Sequence, residues 1–155
     1  MLIKTPTKFF LVSGTGEGNT SLTAFDDALL NAGIANTNLL KVTSILPPHC
    51  REIKPIKLPF GALVPVVYAL KISSTRDELI SATVGVGIPA NKNKPGLIME
   101  YSCRGSKKEA QRIVGEMIEE GFSNREEKLK EIKIVSAECR VKRTGASCAA
   151  VVLWR

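Results

Sequence analysis

The sequence predicts an α+β fold in which two packed sheets are covered by helices on their outer faces. Strand-like runs clearly outnumber helical ones, and only two segments have the apolar spacing of an amphipathic helix. With 155 residues, of which 44% are hydrophobic, the chain is long enough to bury one substantial core and too short for two. We therefore expect a single domain over residues 1–155.

The first third of the chain predicts a strand, a helix and a second strand. A short strand-like run covers residues 8–13, and the helix is expected at residues 21–32, with Gly33 as a left-handed C-terminal cap. Apolar residues recur at helical spacing in that segment: Leu22, Phe25, Ala28, Leu29 and Ala32. A continuous strand follows over residues 38–46 and ends at two consecutive prolines.

Strand signals recur through the rest of the chain, after a proline-containing loop. They cover residues 62–73, 79–88, 96–102, 131–141 and 146–154. The second helix is expected between the third and fourth of these strands. Ser106 and Glu109 have the spacing of a capping box, which would open a helix over residues 107–120 with Gly121 at its end.

Composition argues against several classes of protein. No apolar run approaches the ~20 residues needed to cross a membrane, and the first residues lack the apolar core of a secretory signal, so we expect a cytoplasmic protein. The four cysteines contain no C-x-x-C pair, and His49 is the only histidine. A zinc site at the usual ligand spacing is therefore not indicated, structural thiols are favoured, and His49 is expected to be solvated in a loop.

Two features raise the question of phosphate or nucleic-acid binding. The formal net charge is +7, but basic residues alternate with glutamates over residues 125–133, and aromatic residues make up only 5% of the chain. The glycine-rich stretch at residues 14–18 lacks the dinucleotide-binding spacing, because Asn19 stands where a third glycine is required. A tight connection between strand and helix is the favoured interpretation of this stretch.

The most specific signal is an ordered set of motifs that spans nearly the whole chain. These are AFDDALLNAGI at 24–34, NLLKVTSILPP at 38–48, KLPFGALVP at 57–65, GLIMEY at 96–101 and SKKEA at 106–110. Together they closely resemble the pyruvoyl-dependent arginine decarboxylases. The resemblance implies a four-layer α-β-β-α sandwich that forms homotrimers with active sites between subunits. A hexamer built as a dimer of trimers is left open.

The same resemblance implies that the chain cleaves itself between Thr43 and Ser44, giving a β chain of residues 1–43 and an α chain of residues 44–155. The Ser44 hydroxyl attacks the Thr43 carbonyl, the resulting ester is lost by β-elimination, and hydration with loss of ammonia leaves a pyruvoyl group. L-arginine then forms a Schiff base on this ketone, loses carbon dioxide and yields agmatine. The covalent pyruvoyl group takes the place of PLP, and no metal is expected.

Three further residues receive roles by resemblance. Glu100 is the proton donor, and its place at the end of an apolar strand predicts the partial burial that favours a protonated acid. Asn38 orients the cleaved bond or the pyruvoyl group, since alternation along one strand would put it on the same side as Ser44. Asp26 resembles the family's substrate-binding aspartate and would bind the guanidinium; separately, helical spacing predicts that it faces the apolar side of its helix while Asp27 faces away.

Alternatives stay open at this point. Ala35 stands where many relatives have glycine, so decarboxylation of another amino acid, such as lysine or ornithine, is the nearest alternative. An alternative of a different class is an unprocessed, nonenzymatic α/β protein that binds nucleic acid through its positive charge. For Glu100 and Asp26 the structural alternative is an ion pair with a protein cation, and for Asn38 it is a turn. Polyamine synthesis and acid resistance are both compatible with the reaction.

Overall fold

The computed structural model describes residues 4–155, and its mixed helix and strand content confirms the α+β class. Within these residues the helices are α1 (Ser21–Ala32) and α2 (Lys107–Asn124). The strands are β1 (Lys8–Glu17), β2 (Asn38–Lys41), β3 (Ile45–Leu46), β4 (Arg51–Glu52), β5 (Leu63–Ser73), β6 (Leu79–Pro89), β7 (Gly96–Arg104), β8 (Leu129–Arg140) and β9 (Gly145–Trp154).

The strands form two sheets. The five-stranded sheet has the order β2-β5-β9-β1-β4, and the four-stranded sheet has the order β3-β7-β6-β8. β9 pairs antiparallel with both β1 and β5, and β6 pairs antiparallel with both β7 and β8. The short strands β2 and β3 therefore lie at an edge of the two sheets, where the chain leaves one sheet and joins the other.

Three apolar clusters hold these elements together. The first lies between α1 and the five-stranded sheet and includes Phe10, Ala24, Ala28, Ile34, Val64 and Val152. The second lies between the two sheets and includes Phe9, Val67, Val84, Ile98 and Val151. The third lies between α2 and the four-stranded sheet and contains Leu97, Val114, Ile118 and Phe122.

Helix α1 lies directly on the backbone of β1. A Cβ atom added at Gly14 would lie 2.3 Å from the Ala28 carbonyl oxygen, and one added at Gly16 would lie 2.3 Å from the Ala28 nitrogen. The interpretation of residues 14–18 as a tight connection is therefore wrong for most of the stretch. The strand continues to Glu17 because β9 pairs with it along its whole length, and its glycines leave room for the helix.

The second helix begins at Lys107 as predicted, but its capping box is incomplete and its C-terminal end lies further along the chain. Ser106 Oγ accepts a hydrogen bond from the Glu109 amide, but the Glu109 carboxylate pairs with Arg112 instead of completing the capping box. The helix also continues past Gly121 to Asn124. Gly121 does not end the helix because it is a close-contact position, where an added Cβ atom would lie 2.6 Å from a methyl carbon of Leu97.

No helix formed by residues 4–155 is long and apolar enough to cross a membrane. The cytoplasmic location stays a prediction.

The contact between α1 and β1 predicts different outcomes for the same substitution at two glycines. Gly16→Ala should lower the free energy of unfolding by about 1–3 kcal/mol, because the new methyl group would overlap the α1 backbone. Gly115→Ala in α2 is the matched control, since a Cβ atom there meets nothing within 4 Å. It should be neutral or stabilising by up to about 1 kcal/mol. Urea unfolding followed by circular dichroism measures both, and equal midpoints for Gly16→Ala and the parent chain would contradict the close contact.

Candidate active site

The bond between Thr43 and Ser44 lies where the chain passes from one sheet to the other. On one side, the Val42 amide donates a hydrogen bond to the Val66 carbonyl of β5 at 2.9 Å. On the other side, the Ser44 carbonyl accepts a hydrogen bond of 2.7 Å from the Ile98 amide of β7. Thr43 is exposed and Ser44 is half-buried. The bond is thus accessible to solvent, while its two flanks are fixed to different sheets.

The prediction of one continuous strand over residues 38–46 is wrong. Residues 42–44 belong to no strand and separate β2, which pairs with β5, from β3, which pairs with β7. Stacked sheets lie about 10 Å apart, so one straight strand cannot pair with an edge of each. The apolar pattern indicated extended structure correctly but carried no sign that the pairing partner changes.

This break removes the alternation that was expected to place Asn38 on the same side as Ser44. Asn38 Nδ2 donates a hydrogen bond to the Gly61 carbonyl at 3.1 Å, and the Asn38 amide donates to the Ala62 carbonyl at 2.8 Å. The side chain thus fixes the loop before β5 at the start of β2, six residues before Ser44. Asn38 is itself the first residue of β2, and its predicted role at the cleaved bond stays a prediction.

Glu100 lies in the middle of β7. The prediction that it stands at the end of a strand is wrong. The strand continues to Arg104 because β6 pairs with it as far as Ile80. Glu100 alternates with the apolar residues that contact α2 and shares the side of Ile98, which packs between the sheets. The Glu100 side chain is 35% exposed. The Ser44 carbonyl accepts a hydrogen bond from the Ile98 amide, and Glu100 is two residues after Ile98 on the same strand.

A lysine that the sequence did not single out contacts the Glu100 carboxylate. Lys41 Nζ lies 3.9 Å from Glu100 Oε1, so the ion pair considered as an alternative for Glu100 is present. The same ammonium lies 4.6 Å from the centre of the Tyr68 ring. Lys41 lies three residues before Ser44, inside the motif at residues 38–48. That proximity to Ser44 was the only feature of the sequence that could have indicated a role for Lys41.

The predicted orientations of two neighbouring acids are reversed. Asp26 is exposed, whereas Asp27 is half-buried and its Oδ2 accepts a hydrogen bond of 3.0 Å from the Glu17 amide of β1. The prediction counted Leu22 as part of the buried face, but Leu22 is 74% exposed. The helix instead buries Ala24, Ala28 and Leu29, and its two buried alanines lie against the β1 glycines.

The structure thus links Ser44 to the strand that carries Glu100, whereas the hydrogen bonds of Asn38 go to the loop before β5 and Asp26 is exposed on α1. The hydrogen bonds and ion pairs among residues 4–155 do not join Asp26 or Asn38 to either residue. Ala35 is half-buried against the cluster between α1 and the five-stranded sheet. Its methyl group therefore contributes to packing within the chain.

A cavity of about 470 Å³ lies beyond the other end of the pairing between β3 and β7. Its lining includes Leu46 and Gly96 together with the basic or ionisable side chains of His49, Lys92, Lys94 and Lys130. No aspartate or glutamate lines it. A cationic amino acid such as arginine is therefore not suited to this cavity, and the candidate site lies on the Glu100 side of Ser44.

The side chains that commonly bind metals are dispersed. Among residues 4–155, no three or more His, Cys, Asp or Glu side chains are arranged to hold a metal ion. Burial raises the pKa of the Cys148 thiol to about 12 and that of the Cys50 thiol to about 11, so both stay protonated near neutral pH.

Comparison with known proteins identifies the family of the chain. A family model described as pyruvoyl-dependent arginine decarboxylase matches residues 8–154. A protein of that name from Methanocaldococcus jannaschii is 47% identical over 151 residues, which cover 97% of this chain and 92% of the relative. One from Pyrococcus abyssi is 46% identical over 153 residues, covering 97% of this chain and 96% of the relative. The chain belongs to the pyruvoyl-dependent arginine decarboxylase family.

Proposed function

We propose that this protein decarboxylates L-arginine to agmatine and carbon dioxide, using a pyruvoyl group generated from its own Ser44. The observation that carries the proposal is the family match over residues 8–154, which includes both the Ser44 segment and Glu100. The enzyme is then a carboxy-lyase whose electrophile is covalent and needs no PLP.

Ser44 is suited to be the precursor of that group. In the proposed cleavage, the Ser44 hydroxyl oxygen bonds to the Thr43 carbonyl carbon as the peptide C–N bond breaks, which converts the amide into an ester. Elimination expels the Thr43 carboxylate, and addition of water followed by loss of ammonia leaves a ketone on residue 44. The hydrogen bond from the Ile98 amide to the Ser44 carbonyl supports this assignment, because it fixes residue 44 to β7 whether or not the chain is cut.

The chain's own residues supply binding and proton transfer. The pyruvoyl group provides an electron-accepting carbonyl when it is formed. Glu100 gives a proton to the substrate carbon that loses the carboxylate, and Asp26 accepts hydrogen bonds from the guanidinium. Asn38 orients either the bond that is cleaved or the pyruvoyl ketone, and in both cases the group belongs to another subunit. The exposure of the Asp26 carboxylate supports its role, since Asp27 is already used within the chain.

We also propose the finer architecture that the family implies: a four-layer α-β-β-α sandwich assembled into trimers, with active sites between subunits. The three apolar clusters support the order of layers, because α1 and α2 each pack on a different sheet and the two sheets pack on each other. Leu22 and Leu30, 74% and 52% exposed, lie one helical turn on either side of Asp26. A subunit that covers these leucines would bring Asp26 into the interface.

Intact-protein mass spectrometry tests the cleavage directly. The chain of 155 residues should separate into fragments of residues 1–43 and 44–155, and the larger fragment should resist N-terminal sequencing and be labelled by borohydride. Ser44→Ala should remove both cleavage and activity, because no hydroxyl remains to attack the Thr43 carbonyl. Ser21→Ala, at an exposed serine in α1, is the control and should be cleaved normally. Full activity in a chain that stays in one piece would contradict the mechanism.

The proton-donor role predicts a specific loss in Glu100→Gln. Processed Glu100→Gln protein should lose ~10²- to 10⁴-fold in kcat, the usual contribution of general acid catalysis, because the amide cannot donate a proton as an acid does. Glu52→Gln is a matched control, since Glu52 is also a strand glutamate paired with a lysine but lies on β4. It should leave kcat within about 2-fold of the parent. A processed Glu100→Gln enzyme with full kcat would remove Glu100 from this role.

The neighbouring acids of α1 provide a test of substrate recognition. Asp26→Asn should weaken arginine binding by about 10- to 150-fold, corresponding to ~1.5–3 kcal/mol for a hydrogen bond to a charged group. Asp27→Asn keeps an oxygen that can accept from the Glu17 amide, so it should change arginine binding little. Both are measured on fully processed protein as the KM for arginine, and then for lysine and ornithine. Equal losses in the two variants, or unchanged arginine affinity in Asp26→Asn, would contradict the assignment.

A further inference from the structure

The ammonium of Lys41 lies between an aromatic ring and the carboxylate of the proposed proton donor. It is 4.6 Å from the centre of the Tyr68 ring and 3.9 Å from Glu100 Oε1. We propose that Lys41 is a positioning residue that holds Glu100 toward residue 44, and that Tyr68 keeps Lys41 in place. This inference rests on the proposed role of Glu100 as proton donor.

Glu100 needs such a partner because little else restrains its side chain. Among residues 4–155, the ion pairs and side-chain hydrogen bonds give the Glu100 carboxylate a single partner, which is Lys41. The side chain is 35% exposed, so other rotamers that point to solvent are open to it. A proton donor has to come within about 2.6–3.2 Å of the atom that it protonates, and a change of rotamer removes it from that range.

Tyr68 provides a second restraint on the Lys41 ammonium, in addition to the ion pair. Lys41 is 54% exposed, and an exposed ion pair by itself restrains a long lysine side chain only weakly. The face of the Tyr68 ring adds a cation–π contact on the other side of the ammonium. Tyr68 is in turn held by Phe25 of α1, with ring centres 5.7 Å apart. The contacts therefore run from α1 through β5 and β2 to Glu100 on β7.

The position of Lys41 along the chain determines which of the two proposed fragments contributes to the ion pair with Glu100. Lys41 is the last residue of β2 and is paired with Val66 of β5, immediately before the segment that is cleaved. A cut after Thr43 would leave Lys41 on the fragment 1–43 and Glu100 on the fragment 44–155. The ion pair would then join the two fragments, so the smaller fragment would orient the acid that serves the reactive end of the larger one.

The first test compares substitutions of Lys41 in processed enzyme, quantified by borohydride labelling of the larger fragment. Lys41→Met should lower kcat by about 10-fold, less than the ~10²-fold expected when a reacting group is displaced by a full ångström, with the KM for arginine within about 2-fold. Lys41→Arg should restore most of kcat, because a guanidinium can pair with Glu100 and stack on Tyr68. Lys133→Met, which breaks the comparable ion pair with Glu52 between β8 and β4, should leave kcat unchanged.

The second test asks whether Lys41 acts through Glu100. In a Glu100→Gln background, Lys41→Met should cause no further loss of kcat, since its partner is already removed. Tyr68→Phe keeps the ring and should retain kcat, whereas Tyr68→Leu removes it and should lower kcat as Lys41→Met does. The two Tyr68 variants also carry the test if Lys41→Met is not cleaved.

The outcomes separate the two proposals. A large loss in Glu100→Gln together with full kcat in processed Lys41→Met, or equal kcat in Tyr68→Leu and Tyr68→Phe, overturns the positioning role and leaves the proton donor in place. A 10-fold loss from Lys41→Met that persists in the Glu100→Gln background also overturns it, because Lys41 would then act independently. Full kcat in processed Glu100→Gln overturns the role of Glu100 itself and the inference with it.

Discussion

The ten-residue ladder between β1 and β9 is the interaction on which the rest of the structure depends. β1 is an interior strand of the five-stranded sheet, with β9 on one side and β4 on the other. The proposed cut after Thr43 would leave β1 and α1 on the smaller fragment and β9 on the larger one, so this ladder would hold the fragments together. The bond proposed to be cut is flanked by Val42 and Ser44, which are hydrogen-bonded to different sheets. Cleavage can therefore create a reactive chain end without dismantling either sheet.

Local charge matters more at this site than the charge of the whole protein. The chain carries a formal net charge of +7, which does not favour the capture of cationic arginine. The cavity beside β3 has the same sign of charge, since lysines line it and acids do not. The exposed carboxylate of Asp26 is the kind of group that can overcome this repulsion, because a guanidinium and a carboxylate form paired hydrogen bonds. Lys41 adds a cation near Ser44, but Glu100 is within ion-pair distance of it.

Sequence patterns predicted the elements whose surroundings repeat along the chain, and failed where the surroundings change. Helix α1 has the predicted bounds, and β5, β6 and β9 differ by one residue at an end, because each has a regular pattern along its whole length. The prediction of one strand over residues 38–46 was wrong because the two halves of this segment pair with different sheets. Asp26 and Asp27 were misplaced because leucines were assumed to be buried. Glycines at 14, 16 and 18 mark one face of a strand by their spacing of two, and this spacing was the available sign that alanines would face β1.

Asp26 and Asn38, the two predicted site residues on the other elements, have a common feature. Asp26 is flanked by Leu22 and Leu30, and Asn38 binds the Gly61 carbonyl beside Phe60, which is 76% exposed. Side chains as large as these are seldom left in water together, so both places favour a covering partner. Glu100, by contrast, is on the strand that anchors Ser44 in the same chain. If the active site forms between subunits, one chain contributes Ser44 and Glu100, while the surfaces that carry Asp26 and Asn38 meet a neighbour. The lack of a hydrogen bond or ion pair from Asp26 or Asn38 to Ser44 and Glu100 within residues 4–155 would then follow from the assembly.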